Sequence, residues 1–385
     1  MIKRFNNVRI SGMSLVVPER EISIYDELQY YGNSEKKAER AHKMAGFWKR
    51  RVADSDMTAT DLGVQAAENL IAAMKLDKSK IEAMLLVIQQ PDYNGPCTSY
   101  SAHHRLGLSK NCYVSDIVQG CVGWCFGLLT AAQMVAGGTY KSVLIVNCDT
   151  PAKSLDPSDR INAPLFGDAG LATLVEFSEG APEITFDLDT YSEGYDAIIS
   201  CRPHHGRLGL DIRKREDWEL LTEHFETANG RFACLAEGYM DGPAVFEFST
   251  QKAPANIREL MAELGTTPEN YDQLSLHQAN KQIIQTVGTN AGFPLDKVPF
   301  TCFENFGNNT MCSIPSTILL SLKDKILGDG ARCLCCGFGN GLVVCSIDLH
   351  LAHMECAEIN VYKKPSDHKT AAEWRQYWRE KFINT

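Results

Sequence analysis

The stretch Cys112-Tyr-Val-Ser-Asp-Ile-Val118, then Gln119-Gly120, then Cys121-Val-Gly-Trp-Cys-Phe-Gly127, decides the fold. A short apolar run of β-branched character turns through a glycine into a longer apolar run, which predicts a buried strand feeding a buried helix. Strands that are apolar nearly throughout belong to parallel sheets covered on both faces. The same stretch places Cys121 at the start of the helix, extending to about Val135. Unpaired N–H groups and partial positive charge there favour thiolate over thiol and offer an N–H to an oxyanion. One cysteine among 14 is ordinarily a small buried hydrophobe. The setting of Cys121, with a histidine and an asparagine further on, distinguishes it from the other thirteen.

The rhythm of strand and helix continues on both sides. Before this stretch come a strand Val8–Ser14, a helix Thr58–Met74 and a strand Ala83–Gln89. After it come strands Ser142–Asn147 and Leu171–Phe177, with Gly137-Gly138 ending the Cys121 helix. The second half repeats the pattern: helix Ala255–Leu264, strand Gln273–Leu276, a helix from Lys281, strand Val298–Phe303, helix Ser313–Lys323, and strands Arg332–Cys336 and Leu342–Leu349. Alternation of this kind is α/β, and 385 residues exceed the usual size of one hydrophobic core, so two similar α/β halves are expected. The halves span 1–186 and 238–350. Between them, 187–237 is richer in charge, His and Gly and reads as an insertion or lid. The tail 351–385 ends in Trp374-Arg-Gln-Tyr-Trp-Arg-Glu-Lys381, whose aromatic spacing suits a short amphipathic helix docking on the body or on another subunit.

Composition narrows the function classes. The chain is 44% apolar and 22% charged, with no apolar run near the ~20 residues needed to cross a bilayer, so no membrane span is expected. Its net charge of −10 repels nucleic acid. The N-terminus lacks the apolar core of a signal peptide, and the cysteines lie within apolar runs without a secreted disulfide framework, which implies a reducing cytoplasm. No metal site is expected. Cys333, Cys335 and Cys336 read as a buried strand, and the pairs His103-His104 and His204-His205 lack the i, i+4 spacing that puts two imidazoles on one face. One basic stretch, from Lys36 through Arg40 and Lys43 to Lys49-Arg50-Arg51, reads as a solvated helical face or a landing site for phosphate or an acidic carrier.

His277 ends the strand Leu274-Ser-Leu276 and opens the next helix, while Asn308 lies in Phe306-Gly-Asn-Asn-Thr310 before the helix at Ser313. Ligands of parallel α/β sheets bind at the carboxyl ends of strands, where Cys121 and His277 fall. Asp116…Cys121-Val-Gly, Leu276-His-Gln-Ala-Asn280, Gly307-Asn308, Phe166-Gly-Asp168 and Gly337-Phe-Gly-Asn-Gly341 occur in the order and approximate spacing of the thiolase superfamily. The chain most closely resembles its β-ketoacyl-acyl carrier protein synthase III (ketosynthase III) members, over nearly its whole length. That resemblance implies a five-layered α-β-α-β-α fold and an acyltransferase in which Cys121 takes an acyl group from a thioester. His277 and Asn308 would hold the carbonyl of a malonyl-type thioester as decarboxylation turns it into an enolate, and the N–H groups of Cys121 and Asn340 would form an oxyanion hole. It also implies acyl-CoA or an acyl carrier protein as partner, a homodimer, and neither a metal nor a redox cofactor.

Substrate-binding positions come from the same resemblance. Arg160, in Asp156-Pro-Ser-Asp-Arg160, matches a coenzyme A contact. Trp48 is displaced from the aromatic position that meets adenine, and Gly95 stands where relatives carry a bulky gate into the partner subunit's acyl pocket, which implies room for longer or bulkier acyl groups. The long segment 187–237 and the tail point to a specialised lipid or secondary-metabolite pathway. Two other readings stay open: acyl transfer from Cys121 to an oxygen or nitrogen nucleophile with His277 as base, and a non-catalytic subunit of a ketosynthase heterodimer.

Overall fold

The computed structural model describes residues 1–155, 159, 162–200, 210, 211, 213–226, 232–236 and 238–384. Its two principal sheets lie on either side of a shared helical layer. The first sheet is carried by the strands Val8–Val17, Ala169–Phe177, Ser142–Asp149, Ala83–Ile88 and Tyr113–Ile117, neighbours in that order. Its last three strands run parallel, in the register Leu86 with Asp116 and Val146. The second sheet follows the order Ile2–Phe5, Ile184–Thr190, Val343–Leu351, Ala331–Gly339, Gln273–Leu276.

Alternating side chains of each strand serve different layers, which is why the strands are apolar on both faces. Leu85, Val87, Val143 and Ile145 of one sheet and Cys333, Cys335, Cys345 and Ile347 of the other pack around the central helices Gly123–Ala136 and Ser313–Ser321. Met84, Leu86, Leu144 and Val146 face outward to the helices Ala59–Ala73 and Thr98–Leu106. Leu274, Leu276, Leu334 and Cys336 face outward to Gly242–Leu264 and Lys281–Asn290. Five layers result. The three clustered cysteines are thus divided by the pleat between two layers, all fully buried.

Two elements differ from expectation. The apolar run Val298–Phe303 is not a strand: Val298 follows a single turn, and Thr301–Phe306 is a helix. The helix expected over Ala255–Leu264 starts at Gly242, because Pro254 lies inside it rather than breaking it. Proline removes an N–H and leaves the carbonyl four residues earlier without its donor. The Asn290 side chain, from the neighbouring helix, donates to that Thr250 carbonyl at 3.1 Å.

The region expected as an insertion from Asp187 opens with the end of the strand Ile184–Thr190, so the segment outside both sheets starts after Thr190. Part of it forms a small antiparallel ribbon of Ile198–Ser200 with Gly238–Met240. The terminal segments cross between sheets: Ile2–Phe5 pairs with Ile184–Thr190, while Glu355–Cys356 and Asn360–Val361 pair with Val8–Val17. The tail ends in the helix Ala371–Ile383, whose Trp378 meets Tyr93 edge-on at 6.0 Å. Among the described residues no helix is long and apolar enough to cross a membrane.

Candidate active site

Cys121, His277, Asn308 and Asn340 line one cavity at the carboxyl ends of the two sheets. Cys121 lies in the turn between Tyr113–Ile117 and the central helix, which begins only at Gly123. The expectation of a favoured thiolate needs correction. Burial pushes the Cys121 thiol above its ordinary value, and the negative charge of Asp149 adds to this, against opposing hydrogen bonds from the N–H groups of Asn340 and of Cys121 itself. At rest the sulfur carries its proton, with two backbone N–H groups converging on it. Glycine permits that convergence: at Gly339, φ +142°, a Cβ would stand 2.9 Å from Cys121 Cβ and 3.0 Å from its Sγ. The Gln119 carboxamide donates to the Asn340 carbonyl at 3.2 Å and joins the nucleophile turn to the glycine turn.

His277 follows Gln273–Leu276 and is 2% exposed, with Phe338 edge-on to its ring at 5.6 Å. Burial drives its pKa down to about 4 against a hydrogen bond with the Thr310 backbone, so the imidazole is neutral at pH 7. Its Nδ1 is 2.9 Å from Ser313 Oγ, which accepts the Gln278 N–H at 3.3 Å. With that hydroxyl donating to Nδ1, the single ring proton sits on Nε2.

Asn308 follows a helix, not the expected strand, and its loop is held by backbone pairing with the Phe166-Gly-Asp168 segment. Its N–H donates to the Leu165 carbonyl at 2.7 Å and its carbonyl accepts the Gly167 N–H at 3.1 Å. A Cβ at Gly167 would stand 1.8 Å from the Phe306 carbonyl oxygen, so no other residue fits there. Asp168, fully buried, accepts N–H groups from Ala53 at 2.7 Å and Ala152 at 3.1 Å, and burial raises its pKa to about 7. The Asn308 Oδ1 accepts the Thr310 N–H at 3.0 Å, an assignment only the oxygen of the carboxamide can satisfy, which leaves Nδ2 as the donor for the cavity. Thr310 itself has φ +49°, a left-handed conformation that is an outlier for a β-branched residue and costs on the order of 1–3 kcal/mol.

The rest of the cavity is mostly apolar. Ile198, Ile199, Tyr239 and Met240 of the small ribbon and Val245 and Phe246 at the start of the long helix supply much of its wall. The sequence reading missed these, as it missed Thr310, Ser313 and Phe338. Weak periodicity hid the ribbon, and nothing in the sequence marks a threonine as left-handed.

Of the three substrate-binding positions, the two that are described do not join this group. Arg160 lies outside the described residues. Trp48 is packed against Tyr25 and His42, at 5.3 Å and 4.5 Å between rings, and is not part of the cavity wall. Gly95 faces open space, also off the wall of its own chain's cavity. The last three residues of the basic stretch are already paired: Arg50 forms a buried two-pronged pair with Glu27 at 2.6 and 2.7 Å, while Lys49 and Arg51 both meet Glu21. Asp116 caps the helix Thr98–Leu106 through the N–H groups of Thr98 and Ser99. Among the described residues, the side chains close enough to share a metal ion are Asp187, Asp189 and Glu259, off the cavity wall, and the first two receive the Met1 ammonium at 2.7 and 3.3 Å.

Comparison with known proteins agrees with this architecture. Residues 115–194 match the family described as 3-oxoacyl-[acyl-carrier-protein] synthase III, and residues 261–350 match its C-terminal counterpart. The putative 3-oxoacyl-[acyl-carrier-protein] synthase 3 of Campylobacter jejuni is 29% identical over 365 residues, covering 94% of this chain and 99% of that protein. The β-ketoacyl-[acyl-carrier-protein] synthase III of Streptococcus suis is 28% identical over 88% of this chain and 97% of its own. The crystal structure of the 3-oxoacyl-(acyl-carrier protein) synthase from Burkholderia xenovorans superposes with a TM-score of 0.84 at 27% identity, covering 94% of this chain and 99% of the other.

Proposed function

The chain belongs to the ketosynthase III-like family of the thiolase superfamily and is a condensing acyltransferase, and from that premise we propose that Cys121 is its nucleophile in a decarboxylative Claisen condensation. Cys121 Sγ attacks an acyl thioester, the carbonyl electrons move to oxygen, and collapse expels the donor thiolate, which takes up the cysteine proton. The oxyanion of that intermediate meets the N–H groups of Cys121 and Asn340, whose convergence at the sulfur supports this assignment.

A malonyl-type thioester then enters with its carbonyl oxygen between His277 and Asn308. Loss of carbon dioxide leaves the electron pair of the broken C–C bond on an enolate, whose oxygen is held by two neutral donors. Such a donor is worth about 3–4 kcal/mol in comparable oxyanion sites. The enolate carbon attacks the acyl carbonyl on Cys121, and collapse releases the β-ketoacyl thioester and the Cys121 thiolate, which takes up a proton from solvent. The observation that carries this reading is that His277 and Asn308 stand in the cavity of Cys121 as uncharged donors. The same observation weighs against acyl transfer to oxygen or nitrogen, because a base with a pKa of about 4 removes a proton poorly at neutral pH.

The donor is acyl-CoA or an acyl carrier protein, and the apolar wall of the cavity suits an uncharged acyl chain or pantetheine arm. A homodimer in the cytoplasm, serving a specialised lipid or secondary-metabolite pathway, completes the reading; the thirteen cysteines among the described residues are all unpaired, as a reducing compartment requires. The test is to mix the protein with acyl thioesters of increasing length and a malonyl thioester, following the mass of Cys121 and the release of carbon dioxide. Acylation of Cys121 with release dependent on Asn308 is expected. Acylation without release, with transfer to added alcohols or amines, would replace this reading by the alternative.

A further inference from the structure

His277 and Asn308 come from different loops, so something must hold them in register for one oxygen atom. The residue that touches both is Thr310. Its N–H donates to Asn308 Oδ1 at 3.0 Å, and its backbone hydrogen-bonds the His277 imidazole. Its hydroxyl donates to Asp149 Oδ2 at 3.1 Å, with Met311 Sδ at the same distance. Asp149 ends the strand Ser142–Asp149 at 1% exposure, and its other oxygen accepts the Thr150 N–H at 3.1 Å. A left-handed threonine persists only where its surroundings impose that conformation. Here the surroundings are a hydroxyl tethered to a carboxyl rooted in the rigid sheet.

We propose that Thr310, anchored through its hydroxyl to the buried side chain of Asp149, is a positioning residue that sets the Asn308 carboxamide and the His277 imidazole against one enolate oxygen. It borders the cavity, but its bonds run to the two donors and to Asp149, not to Cys121. The tether fixes the Thr310 peptide, which presents its N–H to the Asn308 carboxamide and lies against the His277 imidazole. The acyl-transfer oxyanion hole is built by different N–H groups, those of Cys121 and Asn340, and lies outside this device. The inference therefore rests on the decarboxylating reading above and predicts that the two half-reactions separate.

Thr310→Val keeps the shape and removes the tether, and Thr310→Ser keeps the hydroxyl. In the valine variant, carbon dioxide release from a malonyl thioester should fall about 100-fold, as when an oxyanion donor is lost, while Cys121 acylation stays close to that of the parent protein. The serine variant should recover most of the loss. Asp149→Ala, which removes the anchor from the other side, should suppress release likewise and serves if the valine variant fails to fold; because it also removes a charge that holds the Cys121 thiol up, its acylation should be unchanged or faster. Release unaffected by loss of the tether, or acylation and release falling in equal proportion, would overturn the inference. The 15N spectrum of the His277 imidazole supplies a readout that needs no turnover: it should shift in the valine variant and match the parent in the serine variant. If the parent protein releases no carbon dioxide, the functional reading fails, and the imidazole spectrum alone decides, an identical spectrum in all three proteins overturning the positioning role.

Discussion

Gly339 and Cys121 share a space with no room for one further methyl group. Gly339→Ala should cut Cys121 acylation by about 100-fold or more, because the nucleophile is displaced by a sizeable fraction of an ångström; intact-protein mass spectrometry with an acyl thioester measures it, and unchanged acylation would show that the turn can yield. The raised thiol pKa gives a second expectation. Iodoacetamide alkylation of Cys121 should keep rising about tenfold per pH unit through the range where ordinary thiols, with pKa values of about 8.5, level off. A plateau near neutral pH would reveal a stabilised thiolate instead. At this scale the sequence was legible where chemistry coincides with a chain reversal. Cys121, His277, Asn308 and Asn340 each sit at the end of an element, beside a glycine or a polar turn residue. What tunes them was not legible: the burial that neutralises His277 and the Asp149 tether of Thr310 depend on residues distant in sequence.

Elements were read correctly where a short apolar run is bounded by polar residues, as in Ala83–Gln89, whose strand ends at Ile88, and Gln273–Leu276. They were misread where proline or a short apolar run admitted two outcomes. Val298–Phe303 is apolar and follows Pro294, yet among the described residues it has no neighbouring strand to pair with, and its second part winds into the helix that delivers Asn308. Pro254 reads as a helix break, and only the Asn290 carboxamide, thirty-six positions on, makes it tolerable. Close approach between elements yields a sharper expectation. At Gly170 a Cβ would stand 2.2 Å from the Leu62 backbone carbon and 2.4 Å from the Gly63 nitrogen, so the helix Ala59–Ala73 lies directly on the strand Ala169–Phe177. Backbone cannot move aside as a side chain can. Gly170→Ala should lower stability by on the order of 3 kcal/mol or more, read from the urea midpoint; a variant as stable as the parent would mean that helix and sheet can separate without penalty.

Two buried carboxyls and a buried imidazole set the molecule's response to pH. Burial raises Asp149 and Asp168 to about 7 and lowers His277 to about 4. The folded protein holds carboxyl protons that the unfolded chain releases near pH 4, so these groups make stability fall as pH rises through 7. His277 acts oppositely: the unfolded chain binds its proton below about 6.5, and stability falls as pH drops from there toward 4. From pH 8 to pH 6 the carboxyls prevail, and stability should rise by about 1–2 kcal/mol. Urea denaturation at the two pH values measures it, and a flat or falling trend would show that both carboxyls are ionised in the fold. The exchange of terminal segments between the sheets has a consequence for biosynthesis. The strand Val8–Val17 emerges from the ribosome hundreds of residues before Glu355–Cys356 and Asn360–Val361, which cover its free side. A nascent chain must therefore carry a bare β-edge through most of its translation, open to pairing with other chains, and that interval is where the protein most needs a chaperone.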